Sequence, residues 1–237
     1  VKSGRVTTLS KDGHIDAFVK TAQGFVFLKS GLNGPSQLYA STPKSSLIDE
    51  GANKLTAGAA AYEKRGIAIF IPEWTPDNCI QCNQCAYVCP HAAIRPFVMT
   101  DEEAAKAPES IKRTAGNGPL KGYHFTIQVS PYDCAGCGNC ADVCPAKTKA
   151  LAMKPAGTQF PEQQNYDYLH ANVGYKDTIV PKSQNVKNLG FTQPLFEFSG
   201  ACSGCGETPY TKVLTQLFGD HMMVANATGC SSIYSAS

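Results

Sequence analysis

Cysteine spacing constrains this chain more than any other feature of its sequence. The run C-I-Q-C-N-Q-C-A-Y-V-C-P occupies Cys79 to Pro90, and the same frame returns as C-A-G-C-G-N-C-A-D-V-C-P from Cys134 to Pro145. Eight of the eleven cysteines thus fall in two runs of identical internal spacing, C-x2-C-x2-C-x3-C-P. Three thiolates separated by two residues each let a tight loop wrap three corners of a 4Fe-4S cubane while its backbone N–H groups point inward at sulfide. Paired C-x-x-C motifs also hold zinc, and clustered cysteines also build disulfide frameworks. Neither alternative explains a third and fourth cysteine in a duplicated frame that ends in C-P.

The frame resembles that of bacterial two-cluster ferredoxins, in which the first three cysteines of each run hold one cluster and the fourth crosses to the other. This implies that Cys79, Cys82, Cys85 and Cys144 hold one 4Fe-4S cluster, and that Cys134, Cys137, Cys140 and Cys89 hold the second. Neither half completes a cluster alone, so the two form one folding unit. Gly136 and Gly138 stand in the second loop where the first has Gln81 and Asn83. That difference predicts unequal N–H access to sulfide and unequal reduction potentials.

The remaining 237-residue context is permissive: it is long enough for one or two domains with real cores. A net charge of +2 is too small to suggest nucleic acid or an anionic membrane as a partner. Charged residues make up 17% of the chain, against roughly 25% in an average soluble protein, which fits a surface partly buried in an assembly. There is no apolar run of about 18 residues, hence no expected transmembrane helix. The opening V-K-S-G-R-V-T-T-L has no signal core and does not begin with Met, so a cut or processed end is expected. Eleven cysteines, an odd and mostly clustered set, point to metal ligation in a reducing, oxygen-poor compartment. Cytoplasm is the expected location, with a hydrogenosome-like organelle as the alternative.

Along the chain, residues 1–57 contain the apolar runs Val6 to Leu9, Ile15 to Val19 and Phe25 to Leu28. Asp12-Gly13 reads as a hairpin turn and Leu32-Asn33-Gly34-Pro35 as a further break, giving a β-rich segment of unassigned role. His14 reads as a solvated residue, and Ala57 to Ala61 as a linker. Gly66 to Ile71 reads as a strand stopped by Pro72, and Trp74 as a core residue that could also shield a cluster. Tyr87, between Cys85 and Cys89, is placed by the spacing near a cluster. Thr100-Asp101-Glu102-Glu103 has the capping-box form and predicts a short helix ending before Pro108. Gly116 to Pro119 is read as a loop and Phe125 to Val129 as a strand. From Lys106 to Lys154 seven basic residues face three acidic ones, a local excess able to steer an acidic electron carrier. Residues 155–194, punctuated by Pro155, Pro161, Pro181 and Pro194, keep neither helical nor strand period and are read as an extended arm.

A second constellation follows. Thr208 reads as an N-cap with Pro209 at the first helical position, and Val213, Leu214, Leu217 and Phe218 as the apolar face of a helix ended by Gly219. Met222 to Ala225 reads as a buried strand running into Asn226-Ala-Thr-Gly-Cys230-Ser-Ser, a small-residue turn able to present N–H groups to a cofactor. Cys202, Cys205 and Cys230 supply three further thiolates, one short of a cubane; they form either a cluster site with an outside ligand or a dithiol with a bystander.

Several pieces together resemble pyruvate:ferredoxin oxidoreductases, thiamine-dependent enzymes of anaerobic metabolism. They are Ala61-Tyr-Glu-Lys-Arg-Gly, Pro72-Glu-Trp, Asn78 to Pro96 with C-P-H-A-A-I-R-P, the second cysteine run, and Pro194 to Ser237. The resemblance is specific from about residue 58 onward; the first 57 residues carry no such match. With the readings above, the expected chain is α+β: a β-rich piece (1–57) and a linker arm (155–194) from the residues, and, as the resemblance implies, a two-cluster ferredoxin-like domain (58–154) and the truncated start of an α/β thiamine-binding domain (195–237). The resemblance further implies that Cys202, Cys205 and Cys230 hold a third 4Fe-4S cluster with a fourth ligand elsewhere. Thr228, Gly229, Cys230 and Ser231 are implied to lie beside the thiazolium of thiamine diphosphate and Glu207 near it, with the cofactor and its Mg2+ bound mostly by parts absent here. No catalytic residue is assigned within the chain. The implied reaction is oxidative decarboxylation of pyruvate with coenzyme A, electrons leaving to ferredoxin or flavodoxin, in a homo-oligomer without membrane or nucleic-acid partners. The alternative is a non-catalytic two-cluster electron carrier.

Overall fold

The computed structural model describes residues 64–234 in full, the backbone of Ser235, and the backbone of five strands between residues 14 and 55. It divides into two compact units, 1–63 and 64–237. In the first unit, β1 (His14–Thr21), β2 (Gly24–Gly31) and β3 (Gly34–Ala40) form an antiparallel sheet in that order, and β4 (Ile48–Asp49) pairs with β5 (Lys54–Leu55). The runs Ile15 to Val19 and Phe25 to Leu28 lie in β1 and β2. The break at Leu32-Asn33-Gly34-Pro35 falls where β2 gives way to β3. Val6 to Leu9, the Asp12-Gly13 turn, the His14 side chain and the Ala57 to Ala61 linker lie outside the described residues.

The second unit is built by exchange of strands between two similar halves. Each cysteine run is entered and left through a strand: β6 (Phe70–Trp74) precedes the first run and β7 (Ile94–Met99) follows it, while β9 (His124–Val129) precedes the second and β10 (Leu151–Pro155) follows it. β6 pairs antiparallel with β10, and β7 with β9, so each sheet takes one strand from either half. A short β8 (Thr114–Ala115) extends the larger sheet to the order β7-β9-β8. Ile71, Trp74, Ile94, Val98, Phe125, Ile127, Val129 and Leu151 fill the space between. Phe125 sits at the centre, edge-on to Trp74 at 6.1 Å and to Phe191 at 6.2 Å.

The first strand differs from expectation. Gly66 to Ile71 is not the strand; it starts at Phe70 and runs through Pro72, which lies opposite Met153. A proline is tolerated because β6 has a single partner, so its missing N–H faces the open edge. Within each cysteine run lies one short helix, α1 (Gln84–Val88) or α3 (Asn139–Asp142). The capping box is present as read: α2 (Asp101–Lys106) begins with Thr100 Oγ1 accepting from Glu103 N at 3.2 Å, while Glu103 Oε2 accepts from Thr100 N at 2.9 Å.

Residues 155–194 are not an extended arm. They contain α4 (Ala156–Gln159), α5 (Glu162–Asn172) and a 3-10 segment over Val186–Phe191. The helical period is hidden because the buried side of α5 is polar: Gln163, Asn165 and Tyr166 accompany Leu169. Gln163 Oε1 accepts from Ser130 Oγ at 3.0 Å, and Asn165 Oδ1 from Ser110 Oγ at 2.7 Å. Polar triplets such as Gln163-Gln164-Asn165 read as loop when burial is equated with hydrophobicity.

α6 (Thr208–Phe218) exists, with two corrections. Its N-cap is Glu207, one residue before Thr208. Its buried side is Thr208, Lys212 and Gln216, whereas Leu214 and Phe218, read as its apolar face, are about half exposed. Met222 to Ala225 forms no strand, and Met223 and Val224 are exposed; among the described residues no strand pairs with them. A strand exists only when a neighbour takes its N–H and C=O groups. α7 (Cys230–Ser235) completes the described chain.

The two cysteine loops are conformational copies. Gln81 and Asn83 have φ of 58° and 61°, and their counterparts Gly136 and Gly138 have φ of 68° and 82°. At Gly136 a Cβ would stand 2.9 Å from the Phe70 carbonyl oxygen, while at Gly138 nothing lies within 4 Å. Gly136→Ala therefore meets both a left-handed backbone and a clash, and Gly138→Ala only the former, a cost of about 1–2 kcal/mol. Chemical denaturation is expected to show the larger loss for Gly136→Ala. At α2, Thr100→Ala should cost about 1 kcal/mol by the same measurement. Burial raises the Glu103 carboxyl, but the Lys176 ammonium at 2.6 Å and the Thr100 N–H outweigh it and hold the group below 4.5. Its stabilising effect is present above the unfolded-state pKa and lost as pH falls through the lowered folded value. The stability difference between wild type and Glu103→Gln should accordingly shrink as pH drops below 4.5.

Candidate functional site

Two cavities lie side by side in the second unit. One is lined by Cys79, Cys82, Cys85 and Cys144, with Trp74, Ile80, Ile127, Ala150 and Leu151 among its walls. The other is lined by Cys89, Cys134, Cys137 and Cys140, with Pro72, Ile94, Val129 and Met153. Each thus gathers three cysteines from one run and one from the other. The strand exchange explains this: β7 leaves the first run and pairs with β9, which enters the second, so Cys89 is delivered to the second loop. β10 and β6 deliver Cys144 to the first in the same way.

The donor set fits a 4Fe-4S cubane better than a single ion. Among the described residues no three His, Cys, Asp or Glu side chains stand close enough to share one metal ion, as a zinc site with Zn–S bonds of about 2.3 Å requires. Four thiols spread around each cavity, rather than gathered on one point, suit a group that spaces them apart. The Trp74 indole N–H is buried in the wall of the first cavity and faces the Cys79 thiol. Gln81 N and Gly136 N each lie 3.4 Å from the thiol two residues earlier, and Ala93 N lies 3.3 Å from Cys89 Sγ. Backbone N–H access is therefore matched in the two loops at this position, despite the Gln/Gly difference. The side chains of Gln81 and Asn83 donate to Ala115 O at 2.7 Å and Lys187 O at 2.9 Å. These bonds hold two non-glycine residues in the left-handed region.

Burial raises the Cys134 thiol to about 12 and the Cys85 and Cys140 thiols further, neighbouring thiols adding to the effect. Burial also raises Cys79, with the Trp74 indole N–H and the Gln81 N–H acting in the opposite sense. Such thiols give up their protons only to a metal centre, so loading the site releases protons. Trp74 is both a core residue and a cavity wall. Tyr87 is neither: its hydroxyl donates to the Val186 carbonyl, and it lines neither cavity.

Cys202 and Cys205 share a turn, closed by Cys205 N donating to Cys202 O at 3.1 Å. The turn lies against the second cysteine loop, where Ser203 Oγ donates to Ala135 O at 2.9 Å and a Cβ on Gly204 would stand 3.5 Å from Cys137 Cβ. Partial burial raises the Cys205 thiol, but the N–H groups of Thr208 and Glu207 outweigh it and leave the thiol below its ordinary value. The sulfur thereby takes the acceptor role a Thr208 cap would have filled. Cys230 opens α7 and is exposed, and the two lined cavities include none of these three cysteines. α7 reaches the turn through Tyr234, which packs on Phe196 at 5.6 Å and is influenced by Glu207. Thr228 and Gly229 are exposed before it.

Three buried groups join the turn to the cluster loops, and sequence reading passed over all of them. His91 Nδ1 donates to Ser199 O at 3.1 Å, since a carbonyl can only accept, and burial lowers its pKa. Arg95 donates to Glu197, Tyr175 and the Ala92 carbonyl and lies against the rings of Phe198 and Tyr166. Lys212 donates to the carbonyls of Ala86, Tyr87 and Cys89. Their signal was the C-P-H-A-A-I-R segment, where a histidine and an arginine interrupt an otherwise apolar run. Of the basic excess between Lys106 and Lys154, Lys112 pairs with Glu73 at 2.8 Å and Lys149 bonds the Asp142 and Cys144 carbonyls, so part of that charge is used internally.

A 4Fe-4S dicluster domain is matched over residues 78–148. A pyruvate:ferredoxin oxidoreductase of Moorella thermoacetica is 53% identical over 197 residues, covering 82% of this chain and 16% of that protein. A pyruvate-flavodoxin oxidoreductase of Enterobacter agglomerans is 53% identical over 186 residues, covering 76% of this chain and 15% of its own length. A mitochondrial pyruvate dehydrogenase [NADP(+)] of Euglena gracilis is 44% identical over 220 residues, which is 93% of this chain and 12% of the relative. A match of that extent cannot be contained in residues 58–237, so the likeness reaches into the first 57 residues, contrary to expectation. The chain spans well under two thirds of the length of these relatives. With this identity and its dicluster domain, the chain belongs with the pyruvate:ferredoxin and pyruvate-flavodoxin oxidoreductases.

Proposed function

We propose that this chain is the electron-transfer part of a 2-oxoacid oxidoreductase acting on pyruvate with coenzyme A and passing electrons to ferredoxin or flavodoxin. The observation that carries this reading is the arrangement of thiols: two four-cysteine cavities, with the Cys202–Cys205 turn held against the second. In this reading Cys79, Cys82, Cys85 and Cys144 hold one 4Fe-4S cluster, Cys89, Cys134, Cys137 and Cys140 another, and Cys202, Cys205 and Cys230 contribute to a third. When bound, the clusters supply reversible one-electron storage and thiamine diphosphate with Mg2+ supplies carbanion stabilisation.

The chain's own residues do the placing. Ser203 and Gly204 seat the cysteine turn on the second loop, so the three sites follow one another in the order Cys202 turn, Cys89 cavity, Cys79 cavity. Ile94, Val129 and Met153 on one side, and Ile127, Ala150 and Leu151 on the other, keep water from the thiols, which holds the local dielectric low. Glu207, Thr228, Gly229 and Ser231 belong to the thiamine side of the reading, supported by their grouping around the start of α6 and α7. The same stretch recurs at 44% identity in a relative named for NADP(+). A reducing, oxygen-poor compartment suits eleven free thiols. No helix among the described residues is long and apolar enough to cross a membrane.

Anaerobic reconstitution tests the assignment. The protein should take up about eight irons in the two cavities and about four more if the third site is completed by its fourth ligand. Cys89→Ser should remove the cluster of Cys134, Cys137 and Cys140 and leave that of Cys79, Cys82, Cys85 and Cys144. Zinc in place of iron, or equal loss of both clusters in Cys89→Ser with the fold intact, would refute it.

A further inference from the structure

Lys212 is buried to 3% exposure on the inner side of α6. Its ammonium donates to the Ala86 carbonyl, to Tyr87 O at 3.1 Å and to Cys89 O at 2.8 Å, which uses all three of its donors. Those carbonyls belong to the short stretch between Cys85 and Cys89, that is, between a cysteine of one cavity and a cysteine of the other. Among the described residues no carboxylate lies within 4.0 Å of it. The other deeply buried cation, Arg95, is matched by Glu197. Taking an ammonium out of water without a counter-charge costs several kcal/mol, and three neutral carbonyls offset this only in part. Burial lowers the Lys212 pKa to about 8, and Cys89 and Cys85, on either side of the segment it caps, act in the opposite sense.

We infer that Lys212, as an ammonium, raises the reduction potential of the cluster completed by Cys89, the carbonyl of which it holds. Adding one electron makes a cluster one unit more negative, so a nearby cation stabilises the reduced form, and net charge is one of the determinants of cluster potential. The backbone N–H donors at Gln81 and Gly136 are matched, so the loops themselves do not separate the two potentials at this position. Lys212 brings its charge from outside the loops, and because it rides on the helix that begins beside Cys205, the seating of that helix sets where the charge stands against the Cys85–Cys89 stretch. It is a positioning residue, not one that reacts.

The inference rests on the cluster assignment above, which the iron content of the wild-type protein tests separately. Redox titrations followed by electron paramagnetic resonance would compare wild type, Lys212→Gln and Lys212→Arg after reconstitution. A Cys79→Ser background isolates the Cys89-completed cluster. The glutamine keeps hydrogen-bonding capacity and drops the charge; the arginine keeps both. The midpoint should shift to lower potential in Lys212→Gln, beyond titration error, and return to the wild-type value in Lys212→Arg, with iron content unchanged. An unshifted midpoint in a fully loaded Lys212→Gln protein would overturn the inference, and so would loss of iron in that variant, which would make Lys212 a structural residue alone.

Discussion

Irregular backbone in the two cysteine loops is the constraint on which the rest of this unit depends. A chain that wraps a polyhedral group must leave the regular regions of φ and ψ, and it then presents carbonyl and N–H groups that no ladder satisfies. The surrounding protein answers with side chains. Lys212 takes the carbonyls of Ala86, Tyr87 and Cys89, and Arg95 Nε takes that of Ala92 at 2.7 Å. From within the first loop Asn83 donates to Lys187 O in the 3-10 segment, where Gln216 also takes the carbonyls of Leu189 and Thr192, both at 2.9 Å.

Exchange of strands makes the two halves interdependent. Because β6 pairs with β10 and β7 with β9, neither sheet forms without both cysteine runs in place. The same exchange carries Cys89 and Cys144 across. Sheet pairing and ligand sharing are thus two expressions of one topology, and loss of either half removes strand partners and thiols together. The buried Phe125, touching Trp74 on one side and Phe191 on the other, ties this arrangement to the 3-10 segment that follows α5.

The Cys202–Cys205 turn is joined to this core by specific contacts on both sides. Arg95 with Glu197, His91 with Ser199, and Ser203 with Ala135 fix residues 197–203 against the second loop. Behind the turn, α6 is locked by Lys212 and Gln216. In the proposed relay the distances between centres would be set by these contacts, two of them to backbone carbonyls and one an ion pair.

The sequence by itself determined the cysteine frame, the capping box at Thr100, the strand leading to the second run, and the likeness to its family. These are local signals: a spacing, a four-residue pattern, an alternation, a set of motifs. It could not show α5 or the true buried face of α6, since Gln163, Asn165, Lys212 and Gln216 are buried by bonding to backbone and side chains distant in the chain, and hydrophobic periodicity is blind to that. Nor could it show that Met222 to Ala225 lacks a strand partner, because an apolar run reads the same with or without a neighbour. Which side chains meet the cluster loops was decided only by tertiary structure, because the carbonyls they satisfy become available only after the loops have taken their left-handed turns.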